Sequence, residues 1–327
     1  MTPAPRRRRT RRTRRLLIGL VVLALVTGVV GVAAIQNDTL GAGHLWDRAM
    51  ARVDRVLAGP VPERSAPVTV LVPPPSDEPE VLDPDEVEPS ATPFVATPSP
   101  VVGSPATPVP APAATPQPTP QRKAVDVDIV KNHDKVFAHE QKITWCAPAG
   151  VQMVLAIHHK GVTSNAFQRE IQSRVREWES YKDSHNGLWG PHAMALALEA
   201  YGAPGYEVRG YDSRMGALRD AAKAIQATDS PVILLAWRGA HTWVMTGFRA
   251  DSDPSVFQYS KISGAYILDP WYPWNSSIWG QSDPPGTFQN LSEMVRNFLP
   301  WKRPEGRYPD RDGLFIAVVP TLKAPAD

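Results

Sequence analysis

Apolar and polar positions along the chain fall into four regimes. Residues 16–35 form an apolar run with no charged side chain. A helix rising 1.5 Å per residue crosses a hydrocarbon core of about 30 Å with roughly 20 such residues, so this run predicts a transmembrane signal-anchor. Within residues 36–59, Leu45, Met50, Val53 and Leu57 fall near one helical face while Asp47, Arg48, Arg52 and Asp54 lie elsewhere, which predicts a short amphipathic juxtamembrane helix. Residues 60–122 show no period. From residue 123 to 323 helical and then strand periods return, with the tryptophans and turn signals of one folded domain.

Inside that domain the helical period predicts helices over 146–159, 165–179, 192–201 and 214–227. Pro148 falls in the first turn of the first, Phe167, Ile171, Val175 and Trp178 keep helical spacing in the second, and Gly202 ends the third. Beyond them the period shortens, predicting strands over 232–237, 242–248, 265–268 and 314–319, with 257–260 as a further one. Helices first and strands afterwards indicate an α+β domain with an antiparallel sheet.

Composition changes the picture most in the third regime. More than half of the 35 prolines lie between Pro60 and Pro120, with acidic residues in the first half and repeated Thr-Pro and Ser-Pro steps in the second. Such a segment buries too little apolar surface to offset its ordering entropy, so 60–122 is expected to be a disordered, extended stalk. Arginines at 6–9, 11, 12, 14 and 15 precede the apolar run, which predicts a cytoplasmic segment 1–15 and an extracytoplasmic domain, held in the lipid bilayer by residues 16–35 and facing a cell wall where one exists. Cleavage after the small residues Val32-Ala33-Ala34 would instead give a secreted protein. The net charge of +2 is that arginine block offsetting an otherwise acidic chain, so no basic face for nucleic acid follows.

One cysteine in 327 residues excludes an internal disulfide and a cysteine-rich zinc site. His139-Glu140 opens like a His-Glu-x-x-His zinc motif, but Ile143 stands where the second histidine is needed. No metal or other cofactor is implied. Cys146 stands at a helix start, where unpaired N–H groups and the helix dipole favour the thiolate and so a nucleophile; the competing reading is a small buried hydrophobe. A nucleophilic thiol needs a proton acceptor, and the acceptor needs an orienting partner. His241 opens the predicted strand Thr242-Trp243-Val244-Met245-Thr246-Gly247-Phe248, and Asp269 closes Ala265-Tyr266-Ile267-Leu268 before Pro270. Neighbouring antiparallel strands would bring the two together. Gln141, upstream of the cysteine, offers an amide to an oxyanion beside the N–H of Cys146.

Gln141…Trp145-Cys146-Ala147-Pro148-Ala149, then His241-Thr242-Trp243-Val244, then Ile267-Leu268-Asp269-Pro270 resembles the C39-like branch of papain-like cysteine peptidases. The resemblance covers roughly residues 127–270 and implies a papain-like fold, a helical part carrying Cys and a sheet carrying His and Asp. It implies Cys146 as nucleophile, His241 as general base and then acid, Asp269 as its orienter, Gln141 as oxyanion donor, and a peptide or protein as substrate. Ala147 departs from the glycine that often follows the cysteine in relatives. The chain has no Gly-x-x-x-x-Gly-Lys-[Ser/Thr] loop and one hydrophobic span, so leader processing by an exporter-fused peptidase is not carried over. A transpeptidase using the same triad, and a non-catalytic display module on the same fold, are the alternatives.

Overall fold

The structure, a computed structural model, describes residues 27–34, 42–64, 68–75, 120–184, 187–302 and 304–321. The basic segment 1–15 and most of the expected anchor 16–35 lie outside the described residues, although 27–34 are helical. No helix among the described residues is long and apolar enough to cross a membrane. The amphipathic pattern of the second regime forms helix α1, Ala42–Leu57, which buries none of its residues; Leu45, Trp46, Val53, Val56 and Leu57 are exposed.

A mixed α+β body follows. Its strands are β1 (Val70–Val72), β2 (Val125–Asp128), β3 (Tyr206–Tyr211), β4 (Val232–Leu235), β5 (His241–Ala250), β6 (Ile262–Leu268), β7 (Asn275–Ser276), β8 (Gly280–Gln281), β9 (Thr287–Asn290) and β10 (Phe315–Pro320). The main sheet runs β1-β3-β10-β4-β5-β6-β9, with β2 also paired to β5; β7 and β8 form a separate ribbon. All pairings are antiparallel except β1 with β3.

Strand alternation splits the core in two. Val232 and Leu234 of β4 and Phe315, Ala317 and Val319 of β10 face one layer, against Leu218 and Ile225 of helix α5 (Arg214–Thr228). Ile233, Leu235, Ile316 and Val318 face the other, against helices α2 (Cys146–Ile157) and α4 (Pro191–Ala200). The sheet is therefore covered on both faces, and α2, buried along almost its whole length, lies across β5.

Three expectations change. The helix predicted over 165–179 stops early, as α3 (Asn165–Ser173) followed by a 3-10 turn Val175–Glu177. Residues 257–260 are a turn rather than a strand. The expected stalk does not leave the body at residue 60: Arg64 donates to the Arg176 carbonyl (2.7 Å), Arg176 donates back to the Pro60 carbonyl (2.7 Å), and Val70–Val72 add a parallel strand to the sheet edge. Local composition pointed to disorder; Val68-Thr69-Val70-Leu71-Val72 nonetheless carries the β-branched residues an edge strand needs.

Candidate active site

Helix α2 opens at Cys146, with Trp145 as an N-cap that makes no side-chain cap bond. The sulfur is set against β5 by a close approach of helix to strand. A Cβ at Gly150 would lie 2.5 Å from Thr242 Cγ2, so only glycine lets the first turn of α2 settle on the first residues of β5.

His241 enters β5 from a turn in which Trp237, Arg238 and Gly239 all have positive φ (54°, 61° and 83°). For the two non-glycine residues that conformation costs of order 1 kcal/mol each. It turns the Trp237 ring onto the face of the His241 imidazole, with centroids 3.9 Å apart and planes 18° from parallel. Trp279 stacks behind Trp237 at 5.8 Å, and Trp271 meets His241 edge-on at 6.2 Å. The ring, 2% exposed, is thus walled by aromatics on its face and edge.

The register of β5 and β6 pairs Val244 with Leu268 and so delivers Asp269 beside His241. His241 Nε2–H donates to Asp269 Oδ1 at 2.6 Å, the Trp271 N–H donates to the same oxygen at 2.9 Å, and Ser282 Oγ donates to Oδ2 at 2.8 Å. Burial works to raise the Asp269 pKa, but His241 and these donors outweigh it and hold the carboxyl below its usual range. Asp269 is an anion with every oxygen engaged.

A carboxyl oxygen of Glu140, Cys146 Sγ and a ring nitrogen of His241 all lie within 4.8 Å of one another, the one such grouping of possible metal ligands among the described residues. Cys146 keeps some exposed surface. Burial nonetheless pushes its thiol up to about 12, a rise to which Glu140 would add only if it ionised, while hydrogen bonds from Thr242 and the Ala147 N–H oppose it. The expected thiolate at a helix start is therefore corrected: burial outweighs the helix terminus, and the resting group is a thiol.

Gln141 is not brought to the site. Its Nε2 donates to the Asn165 carbonyl (2.8 Å) and its Oε1 accepts from Arg169 (2.8 Å), on the side of α3. The neighbouring Glu140 points inward instead, fully buried, its N–H donating to the Pro270 carbonyl (3.0 Å). In the sequence, Glu140 stands out only as part of the incomplete His-Glu-x-x-His pattern. A carboxyl group six positions before the cysteine was the available signal.

Residues 125–297, more than half of the chain, match the model of the family described as Peptidase_C39 like. Among solved structures, the crystal structure of a double glycine motif protease from an AMS/PCAT transporter in complex with the leader peptide is similar at 19% identity. That match covers 57% of this chain and 91% of that one, with a TM-score of 0.28. No curated protein matches this chain.

Proposed function

The chain belongs to the Peptidase_C39 like family and is a cysteine peptidase; from that premise we propose that it cleaves peptide bonds by acyl transfer through Cys146, His241 and Asp269. The observation that carries this reading is the His241–Asp269 bond. With Nε2–H committed to Asp269, the imidazole presents Nδ1 as its free lone pair, next to a thiol that still holds its proton.

In the first half-reaction Nδ1 takes the thiol proton as Sγ attacks the carbonyl carbon and the C=O π pair moves onto oxygen. The tetrahedral species collapses, the C–N bond breaks, and His241 returns the proton to the departing amine. A thioester remains. Water, deprotonated by the same imidazole, then attacks it and restores the thiol with release of the acid; an amine in place of that water would make the reaction a transpeptidation. Asp269 stabilises the transient imidazolium, and its donors from Trp271 and Ser282 keep it from turning away.

The arginine block ahead of the apolar run 16–35 supports a cytoplasmic N-terminus, a single-pass anchor and an extracytoplasmic peptidase body, whose substrates would be exported proteins or wall peptides. The test is digestion by the purified full-length chain of a denatured protein such as casein and of wall peptides, read by mass spectrometry. Cleavage that disappears in Cys146→Ala and in His241→Ala supports the reading. Cleavage unaffected by Cys146→Ala overturns it.

A further inference from the structure

Two buried carboxyl groups stand beside the reacting atoms, and only one of them has partners. Asp269 is fully engaged by His241, Trp271 and Ser282. Glu140 is fully buried, neither of its carboxyl oxygens has a hydrogen-bond partner, and one of them lies within 4.8 Å of both Cys146 Sγ and a His241 nitrogen. An unpartnered buried carboxylate would cost several kcal/mol. The uncharged acid costs much less, and it carries an O–H with nothing to donate to.

The backbone holds that O–H where a donor is useful. Glu140 N–H is tied to Pro270 O, so the side chain is referenced to the Asp269 loop, and the adjacent Gln141 N–H is taken by Gln168 Oε1 at 2.8 Å. The segment is fixed at both residues, with Glu140 facing the thiol and Gln141 facing α3. We propose that the neutral carboxylic acid of Glu140 is the side-chain donor of the oxyanion hole, acting with the backbone N–H at Cys146, in the role the sequence alone assigned to Gln141. The inference rests on the acyl-transfer reading and adds a catalytic residue to it.

As Sγ bonds to the carbonyl carbon, the oxygen gains the π pair, and the Glu140 O–H, already desolvated, donates to it without transferring its proton. Collapse returns the pair to the C=O bond and frees the O–H. Ionisation would reverse the effect, placing an anion against the developing oxyanion. The groups that set the ionisation are Cys146 from α2, His241 from β5, Asp269 from the end of β6, and His139 on the same segment, whose Nδ1 bonds Pro270 O at 3.1 Å. Burial first and the Asp269 charge second push the Glu140 pKa well above the usual carboxylate range, which keeps the donor in its working form.

Acylation and alkylation separate this role from a structural one, because an ester carbonyl forms an oxyanion at the thiol and iodoacetamide does not. The full-length chain in detergent is treated with p-nitrophenyl acetate, with Cys146→Ala as background, and in parallel with iodoacetamide. For Glu140→Ala the ratio of acylation to alkylation rate falls about 10²- to 10³-fold, the loss associated with one oxyanion donor. Glu140→Gln, which keeps a neutral donor on the same stem, recovers most of that loss. An alkaline limb present in the wild-type acylation profile is absent from Glu140→Gln. An unchanged ratio in Glu140→Ala, or a loss in Glu140→Gln equal to that in Glu140→Ala, overturns the inference while leaving acyl transfer intact. Wild-type protein that is alkylated but gives no nitrophenolate burst overturns acyl transfer itself, and the inference with it.

Discussion

Gly150 and Thr242 are in contact across the junction of α2 and β5, and a methyl group on Gly150 would sit 2.5 Å from Thr242 Cγ2. Gly150→Ala gains roughly 1 kcal/mol in helix propensity but overpacks a buried site, which costs about 1–3 kcal/mol. The variant is expected to melt a few degrees lower and to lose more activity than stability, because the strain moves Cys146 away from His241. Thr242→Ser, which deletes Cγ2 and keeps the hydroxyl, should restore both in the double variant. Calorimetry and peptide hydrolysis on the four members of this cycle check it; additive losses would rule out the contact as the cause.

Asp269→Leu is close in volume and removes the acceptor that fixes His241 with its proton on Nε2. The expected loss is in kcat, by about three to four orders of magnitude, with little change in KM. A proportional rise in KM would indicate that Asp269 positions substrate instead.

The thiol makes a prediction opposite in sign to the usual papain-like site. With Cys146 pushed up to about 12, its alkylation by iodoacetamide in the unliganded protein should be slower at neutral pH than that of free cysteine. The rate should keep climbing through about pH 10 without a plateau, since only the thiolate reacts. A plateau below pH 8 would mean that the resting pair is ionised.

Glu140 links the site to stability. Its folded-state pKa lies well above the ordinary 4.5, so the folded protein binds the proton more tightly than the unfolded chain. This contribution is fully present below about 4.5 and is lost as pH rises through the folded value. Glu140→Gln has no such dependence. Its melting temperature relative to wild type should rise with pH from about 4.5 and level off above the folded value, as read by calorimetry across pH. A constant difference would place the ionisation elsewhere.

Proteolysis tests how residues 60–75 are held. A cut anywhere in 76–119 severs the chain, but Arg64, Thr69 and β1 remain bonded to Arg176, His192 and β3. Nicked protein should elute from a sizing column as one species and separate into two only in denaturant. Separation without denaturant would show that the edge strand alone cannot hold.

The grouping of Cys146, His241 and Asp269 was legible because each residue sits at a border that local sequence marks. Pro148 fixes the start of α2, Pro270 the end of β6, and the alternation of Thr242 to Phe248 the direction of β5. The inward-facing carboxyl of Glu140 was not legible. Glu140 and Gln141 are adjacent in an irregular segment, and which of them faces the thiol is decided by Pro270 and Gln168, both distant in sequence. The protonated thiol was missed for the same reason: helix position is local, whereas desolvation comes from tertiary packing. Strand β1 was hidden by its proline-rich neighbours, since composition averaged over 60–122 obscures five residues of strand pattern.

The pairing of β1 with β3 also decides where tension goes. A pull applied at the N-terminal end is borne first by the contacts of His44 with Trp271 and Trp274, then by the Arg64–Arg176 bonds and the β1–β3 ladder, before it can reach residue 76. Both flanks of the stretch 76–119, β1 and β2, are paired in the sheet, so load passes between them through the folded body. Only rupture of the edge strand would put residues 76–119 in series, adding at most roughly 150 Å of chain contour. Residues 60–75 thus act as a clamp on the N-terminal side of the body, and the strength of one short edge strand sets the load it can carry.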